Sequence, residues 1–213
     1  MTDNILYRGK LFQVISRSRR AKLTVDGREI TKELTVELVR RPPGVRAIIR
    51  DGQKLLLNRV FRYELNDWDY RLPGGKVFDR LEDFEKAIEE NTIDENAYRK
   101  LAEEVREEAD IEAEDYGLFE VSGCGLTVEW NLYYFTVDKF KILPSFYAKE
   151  KQKSEYEYIE HVWLDFAQIK QLILDGRIRE DRSIAILFKY MMKADGRAKG
   201  EAQAGGVRQA EEE

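Results

Sequence analysis

With one cysteine (Cys124), one histidine (His161) and four prolines in 213 residues, several chemistries lack their reagents. A lone cysteine excludes an intrachain disulfide framework, and a single Cys with a single His excludes a Cys/His zinc site. A Ser-His-Asp triad would have to use His161, which reads as mid-strand with no nucleophile motif beside it. Unbroken apolar runs reach only a handful of residues, so no membrane span is expected. The first residues, MTDNILYRGK, have no apolar signal-peptide core. The expectation is a soluble, cytoplasmic protein that binds neither membrane nor nucleic acid.

What is present is enough apolar content, 43%, to bury the core of one sizeable domain. The net charge of −5 is local. Residues 79–96 carry eight acids against Arg80 and Lys86, a net −6, which leaves the remainder at +1. That balance does not argue against an anionic ligand.

The first half alternates like strands. Leu34, Val36 and Leu38 share one face, Asp26-Gly27 and Asp51-Gly52 are hairpin turns, and a short strand ends in Leu72-Pro73-Gly74-Gly75. The middle is helical: Leu81, Phe84 and Ile88 form a short stripe interrupted near Asn91. Thr92-Ile93-Asp94-Glu95 then fits a capping box ahead of the apolar line Ala97, Leu101, Val105 and Ala109. Strands are expected at 117–121, 128–137 and 158–164. Asp165 caps a helix closed by Gly176, and Asp181 or Ser183 opens another. The predicted class is α+β, with a disordered tail over 195–213.

Leu72-Pro73-Gly74-Gly75-Lys76-Val77, followed by Arg99-Lys100-Leu101-Ala102-Glu103-Glu104, resembles the Nudix box, G-x5-E-x7-R-E-U-x-E-E-x-G-U with U a bulky aliphatic. Glycines let the backbone turn tightly at a phosphate, and acids one helical turn apart let two carboxylates face one metal. Gly75 takes the first Gly; Arg99, Leu101, Glu103 and Glu104 take R, U, E and E. Leu81 stands six residues on, where the family has Glu. Arg99 lies 24 residues beyond Gly75 instead of 14, an insertion of about ten. Counting back from Arg99 puts Asn91 in the Glu slot. Lys100 replaces the acid after Arg, and Arg106 the last Gly.

Flanking segments resemble the ADP-ribose pyrophosphatase branch of that superfamily: Glu37–Val45, Val60-Phe61-Arg62-Tyr63, Tyr70–Gly75, Gly125–Glu129, Glu155–Glu160 and Gly176–Ala185. The likeness spans roughly residues 5–192. It implies a Nudix fold, a mixed β-sheet sandwich with a loop-helix motif and C-terminal helices, preceded by antiparallel N-terminal strands (1–43). The Nudix domain proper would run over 44–194, with the acidic insertion near 79–96.

By resemblance, the activity is hydrolysis of the diphosphate bond of ADP-ribose or a related nucleoside diphosphate sugar, with Mg²⁺ or Mn²⁺. Glu104, Glu103 and Glu108 would hold the metal, with Glu107 an alternative to Glu103. Glu104, Glu129 and Glu155 would be catalytic, with Glu157 an alternative to Glu155. Arg62, Arg71, Gly74, Gly75 and Lys100 would bind substrate. The N-terminal strands would contribute to a homodimer. Each acid also has a plainer reading as a solvated helix face or strand end. Lys100, one turn before Glu104, favours a rival: a Nudix-fold protein with weakened metal affinity that senses a nucleotide sugar. Arg71 reverses charge in the same sense.

Overall fold

Two tight turns set the N-terminal half. Asp26 and Gly27 both adopt positive φ (51° and 75°), the backbone that a two-residue hairpin turn demands, and Gly52 does the same at φ 56°. In the computed structural model, which describes residues 2–147, 151–154 and 157–194, these turns join the first long strands. Asp26-Gly27 connects β2 (Gln13–Val25) to β3 (Arg28–Arg40), and Asp51-Gly52 connects β4 (Gly44–Asp51) to β5 (Lys54–Arg62). A further strand, β1 (Thr2–Arg8), precedes them. After β6 (Asp67–Arg71) come helices α1 (Leu81–Glu89) and α2 (Ile93–Ala109). Then follow β7 (Ile111–Ser122), β8 (Val128–Glu129), β9 (Leu132–Ile142), β10 (Lys151–Ser154) and β11 (Glu157–Asp165). Helix α3 (Phe166–Leu174) and helix α4 (residues 181–194) finish the described chain. The fold is α+β with mixed sheets.

The chain forms two compact units. The first comprises Met1–Ala47 and Gly74–Leu143. Its N-terminal sheet runs β1-β2-β3-β8. It is mixed, because β1, β2 and β3 are antiparallel while β8 lies parallel to β3 through Val39↔Val128. In the same unit β7 and β9 form an antiparallel pair from Ile111↔Ile142 to Ser122↔Leu132. Helix α2 buries Ala97, Leu101, Val105 and Ala109, as its periodicity predicts, and Glu104 with them.

The second unit comprises Ile48–Pro73 and the residues from Pro144 onward. There β5 pairs with β6 on one side and with β11 on the other, and β10 pairs with β11. Its core includes Leu55, Leu56, Leu57, Ile169 and Leu187. Asp165 caps α3 with a complete capping box to Gln168, and Gly176 leaves that helix at φ 64°. His161 is the strand residue expected: its Nδ1 lies 3.0 Å from Asn58 Oδ1, and its ring stacks on Phe146.

Two local expectations are corrected. Thr92 does not form a capping box: no side-chain cap bond is made, and its hydroxyl instead accepts from the Asn96 amide at 3.3 Å. The strand expected over 128–137 breaks at Trp130-Asn131, since Glu129 O accepts from Arg41 N beside β3 while Asn131 O accepts from Gly44 N. The predicted tail, 195–213, and Glu155 lie outside the described residues. Among the described residues no helix is long and apolar enough to cross a membrane.

Candidate active site

The glycine turn, α2, β8 and the N-terminal sheet belong to the first unit. The turn Gly74-Gly75 is glycine for steric reasons. Gly74 has φ 145°, and a methyl group there would collide with the Val45 carbonyl. A methyl group on Gly75 would occupy the space taken by the Glu104 carboxylate. Gly75 O accepts from Val45 N at 2.9 Å, which fixes the turn against β4. Glu108, one helical turn after Glu104, accepts a 2.9 Å hydrogen bond from Gly74 N–H. Two carboxylates of α2 therefore converge on one two-residue turn.

The register of the motif follows from where α2 ends. Its C-cap is Asp110, in the left-handed conformation at φ 52°, followed directly by Ile111 and β7. Left-handed backbone at a helix end is what the box's final Gly supplies. Setting Asp110 in that slot slides the motif one turn relative to the reading based on Arg99. Glu95 then fills the first Glu position, Glu104 the acid after Arg, Val105 the aliphatic, Glu107-Glu108 the acid pair and Ile111 the last aliphatic. Glu103 stands in the Arg slot. In this register Lys100 replaces no acid of the motif, and the extra residues fall between Gly75 and Glu95.

Lys100 nonetheless sits against these acids. Its Nζ lies 3.1 Å from Glu104 Oε1 and 3.4 Å from Glu103 Oε2. Glu104 is only 8% exposed, and burial pushes its carboxyl above the ordinary carboxylate range despite Lys100, with the Glu107 charge adding in the same direction. Lys100 loses some solvation too, but the Glu104 and Glu103 carboxylates hold its ammonium above the usual lysine value.

Other predicted residues are placed differently. Gly74 N–H is taken by Glu108, so this amide holds a carboxylate of the chain instead of standing open to phosphate. Glu129 is engaged by Arg17 and Arg40, the latter at 2.8 Å through Nε. Burial opposes its charge, but the two guanidiniums prevail and lower its pKa, which makes it a weak base. Arg17 and Arg40 also bind Asp3, so Glu129 ties β8 to the N-terminal sheet. Arg62 and Arg71 belong to the second unit, where Arg62 pairs with Glu64 at 3.0 Å and Arg71 lies 3.7 Å from Asp69. Asp69 is buried, and desolvation raises its pKa against Arg71. Phe61 and Trp68 pack edge to face there, with Arg59 over the indole.

The donor set can be tested against a divalent cation. Hard ions of the Mg²⁺ kind use one or two carboxylates and complete their shell with water and substrate phosphate. Glu104 and Glu108 meet that description. Among the described residues no group of three or more Asp, Glu, His or Cys gathers to hold a metal by itself.

No protein with a curated description matches the chain. A solved crystal structure described as an ADP compounds hydrolase superposes with a TM-score of 0.57, covering 92% of this chain and 96% of that one, at 17% identity. That likeness shows the fold. The sequence profile of the NUDIX domain matches residues 40–185, which contain both the glycine turn and the acidic helix, and the chain belongs to the NUDIX domain family.

Proposed function

We propose that the protein hydrolyses the diphosphate bond of ADP-ribose or a related nucleoside diphosphate sugar, with Mg²⁺ or Mn²⁺. The convergence of Glu104 and Glu108 on Gly74-Gly75 carries this reading. Family membership and the neighbour described as acting on ADP compounds support it. Water adds to one phosphorus and the bridging P–O bond breaks, which would give AMP and ribose 5-phosphate from ADP-ribose. Glu104 and Glu108 would hold the cation, which when bound polarises phosphoryl oxygens and lowers the pKa of water. Lys100 supplies a fixed positive charge next to Glu104, suited to an incoming diphosphate.

The rival reading, a nucleotide-sugar sensor without turnover, is favoured by one observation: the 3.1 Å Lys100–Glu104 pair already neutralises the carboxylate a metal needs. One assay separates the two. AMP release from ADP-ribose with Mg²⁺ or Mn²⁺ is followed by chromatography for the natural protein, Glu104→Gln and Glu108→Gln. The hydrolase reading expects turnover in the natural protein and a loss of about 100-fold or more in each variant. Turnover indifferent to both substitutions removes the site assignment. No turnover, with ADP-ribose still bound, selects the sensor.

We also infer a homodimer through the β2–β3 hairpin. Register pairs Leu23 with Ile30, Arg19 with Leu34 and Arg17 with Val36, so Leu23, Ile30, Leu34 and Val36 share one face. All four are exposed in a single copy. They share that face with Arg17, Arg19 and Lys32, and the opposite face carries Lys22, Thr24, Glu29 and Glu33. A second copy covers the apolar face, at a protein concentration checked by analytical ultracentrifugation.

A further inference from the structure

The segment between the glycine turn and α2 is longer than the motif allows, and it folds as α1. In the first unit this helix forms one wall of a cavity of about 380 Å³, within the size range of small-molecule sites. The wall is apolar: Phe84 and Ile88 from α1, continued by Ile93 at the start of α2. The rest of the lining is more polar, with Arg41, Asn131, Glu129 and the Arg40 that Glu129 already binds. Arg41 is held with its guanidinium 4.1 Å over the Trp130 ring. Tyr133, also lining the cavity, donates its hydroxyl to Asp94 at 3.0 Å.

Two features make this a built pocket. First, α1 is anchored. Glu85 accepts from both terminal nitrogens of Arg8 at 2.8 and 2.6 Å and from Gln13 at 3.3 Å, and Leu81 N donates to Lys10 O at 3.0 Å. Second, the cavity adjoins the carboxylates. Pro43 and Asn131 line it, while Val77 N donates to Pro43 O, Gly44 N to Asn131 O and Val45 N to the Gly75 O of the turn against which Glu104 packs. The same backbone thus borders the pocket and the glycine turn.

We propose that the pocket receives the nucleoside end of the ligand, with the base against α1 and the anionic end toward Arg41, and that Phe84 and Ile88 are its specificity-determining residues. The choice of a nucleotide rests on the hydrolase reading; the apolar wall does not. A flat, uncharged ring fits the α1 side, and a phosphate fits beside Arg41.

The test uses the full chain, with AMP and inorganic pyrophosphate as probes in titration calorimetry. Ile88 is 43% exposed, so Ile88→Lys keeps the fold, which circular dichroism verifies. Phe84→Leu is a second, volume-sparing variant. The expected result is AMP binding weakened about tenfold or more by Ile88→Lys and less by Phe84→Leu, with pyrophosphate binding unchanged within twofold. Cys124, the chain's one thiol and a lining residue, gives an independent readout: AMP slows its reaction with a maleimide. AMP that fails to bind, binds equally well to a folded Ile88→Lys, or leaves Cys124 unprotected overturns the proposal. The hydrolase reading fails separately. If ADP-ribose is not turned over but Ile88→Lys still weakens AMP, that reading falls and the pocket stands. If turnover is normal and AMP ignores Ile88, the pocket falls alone.

Discussion

Replacing Lys100 with methionine removes a charge while keeping most of the side chain's length. At 3.1 Å from Glu104 Oε1, the ammonium attracts that carboxylate by about 5 kcal/mol at an effective dielectric of 20. Both side chains are mostly covered, Lys100 24% and Glu104 11% exposed, so desolvation offsets a large part of the attraction. A net loss of about 1–3 kcal/mol remains when the lysine is removed. At about 2–4 °C per kcal/mol for a chain of this size, the metal-free variant melts about 2–12 °C lower. The pH dependence has a definite sign. Lys100's contribution is complete below the ordinary lysine pKa and is lost as pH rises through its raised folded value. Glu104, its carboxyl raised by burial, sheds its charge early on acidification, so the gap between natural and variant protein closes in acid. Divalent binding moves the other way. With the competing cation gone, Mn²⁺ binds the variant about tenfold tighter or more, since each 1.4 kcal/mol of relieved repulsion is worth a factor of ten. Mn²⁺ titration by electron paramagnetic resonance at neutral pH reads this directly. A Lys100→Met protein that is less stable yet binds Mn²⁺ no more tightly refutes the reasoning, because the ammonium would then not compete for Glu104.

Three further outcomes are expected. Gly75→Ala should displace the Glu104 carboxylate and lower the melting temperature by several degrees, since forcing extra volume into a packed site costs about 1–3 kcal/mol; differential scanning fluorimetry checks it, and unchanged melting contradicts the packing. Arginine partners lower the pKa of Asp3 and Glu129, so both contribute stability that is complete above the ordinary carboxylate range and lost as pH falls through their lowered values. Protection factors of the β1 amides, corrected for intrinsic exchange, should fall on acidification, and the effect should be absent in Arg17→Met. Val36→Asp should leave a folded monomer where the natural protein sediments as a dimer, and an unchanged sedimentation coefficient argues against the hairpin interface.

Much of the fold was legible because its signals are local. Asp26-Gly27 and Asp51-Gly52 announce reversals through backbone preference, and Asp165 announces a helix start. The apolar row of α2 follows from 3.6-residue spacing. The break at Trp130-Asn131 was not legible, because it depends on β8 joining β3, a pairing between residues about ninety positions apart. The role of Glu129 was hidden for the same reason, since its partners Arg17 and Arg40 come from other strands. The motif register was in the letters all along. Counting from Asp110-Ile111 backward matches six positions of the box, where counting from Arg99 matches four, but a non-glycine at the terminal slot disguised it. Asp and Asn are the side chains that best tolerate left-handed backbone, and Asn66 and Asn91 use the same allowance.

The cap at Asp110 has a bearing on how this chain carries so long an insertion. Its N–H returns to Val105 O and its carbonyl accepts from Leu143 N, so the last turn of α2 is clamped at a point two residues past Glu108. Each residue advances a helix by about 100°. The angular phase that aims Glu104 and Glu108 is thus fixed from behind, like a key held at its bow. Residues added ahead of α2 leave that aim untouched, whereas one residue gained or lost between Glu108 and Asp110 would swing both acids away from the glycines.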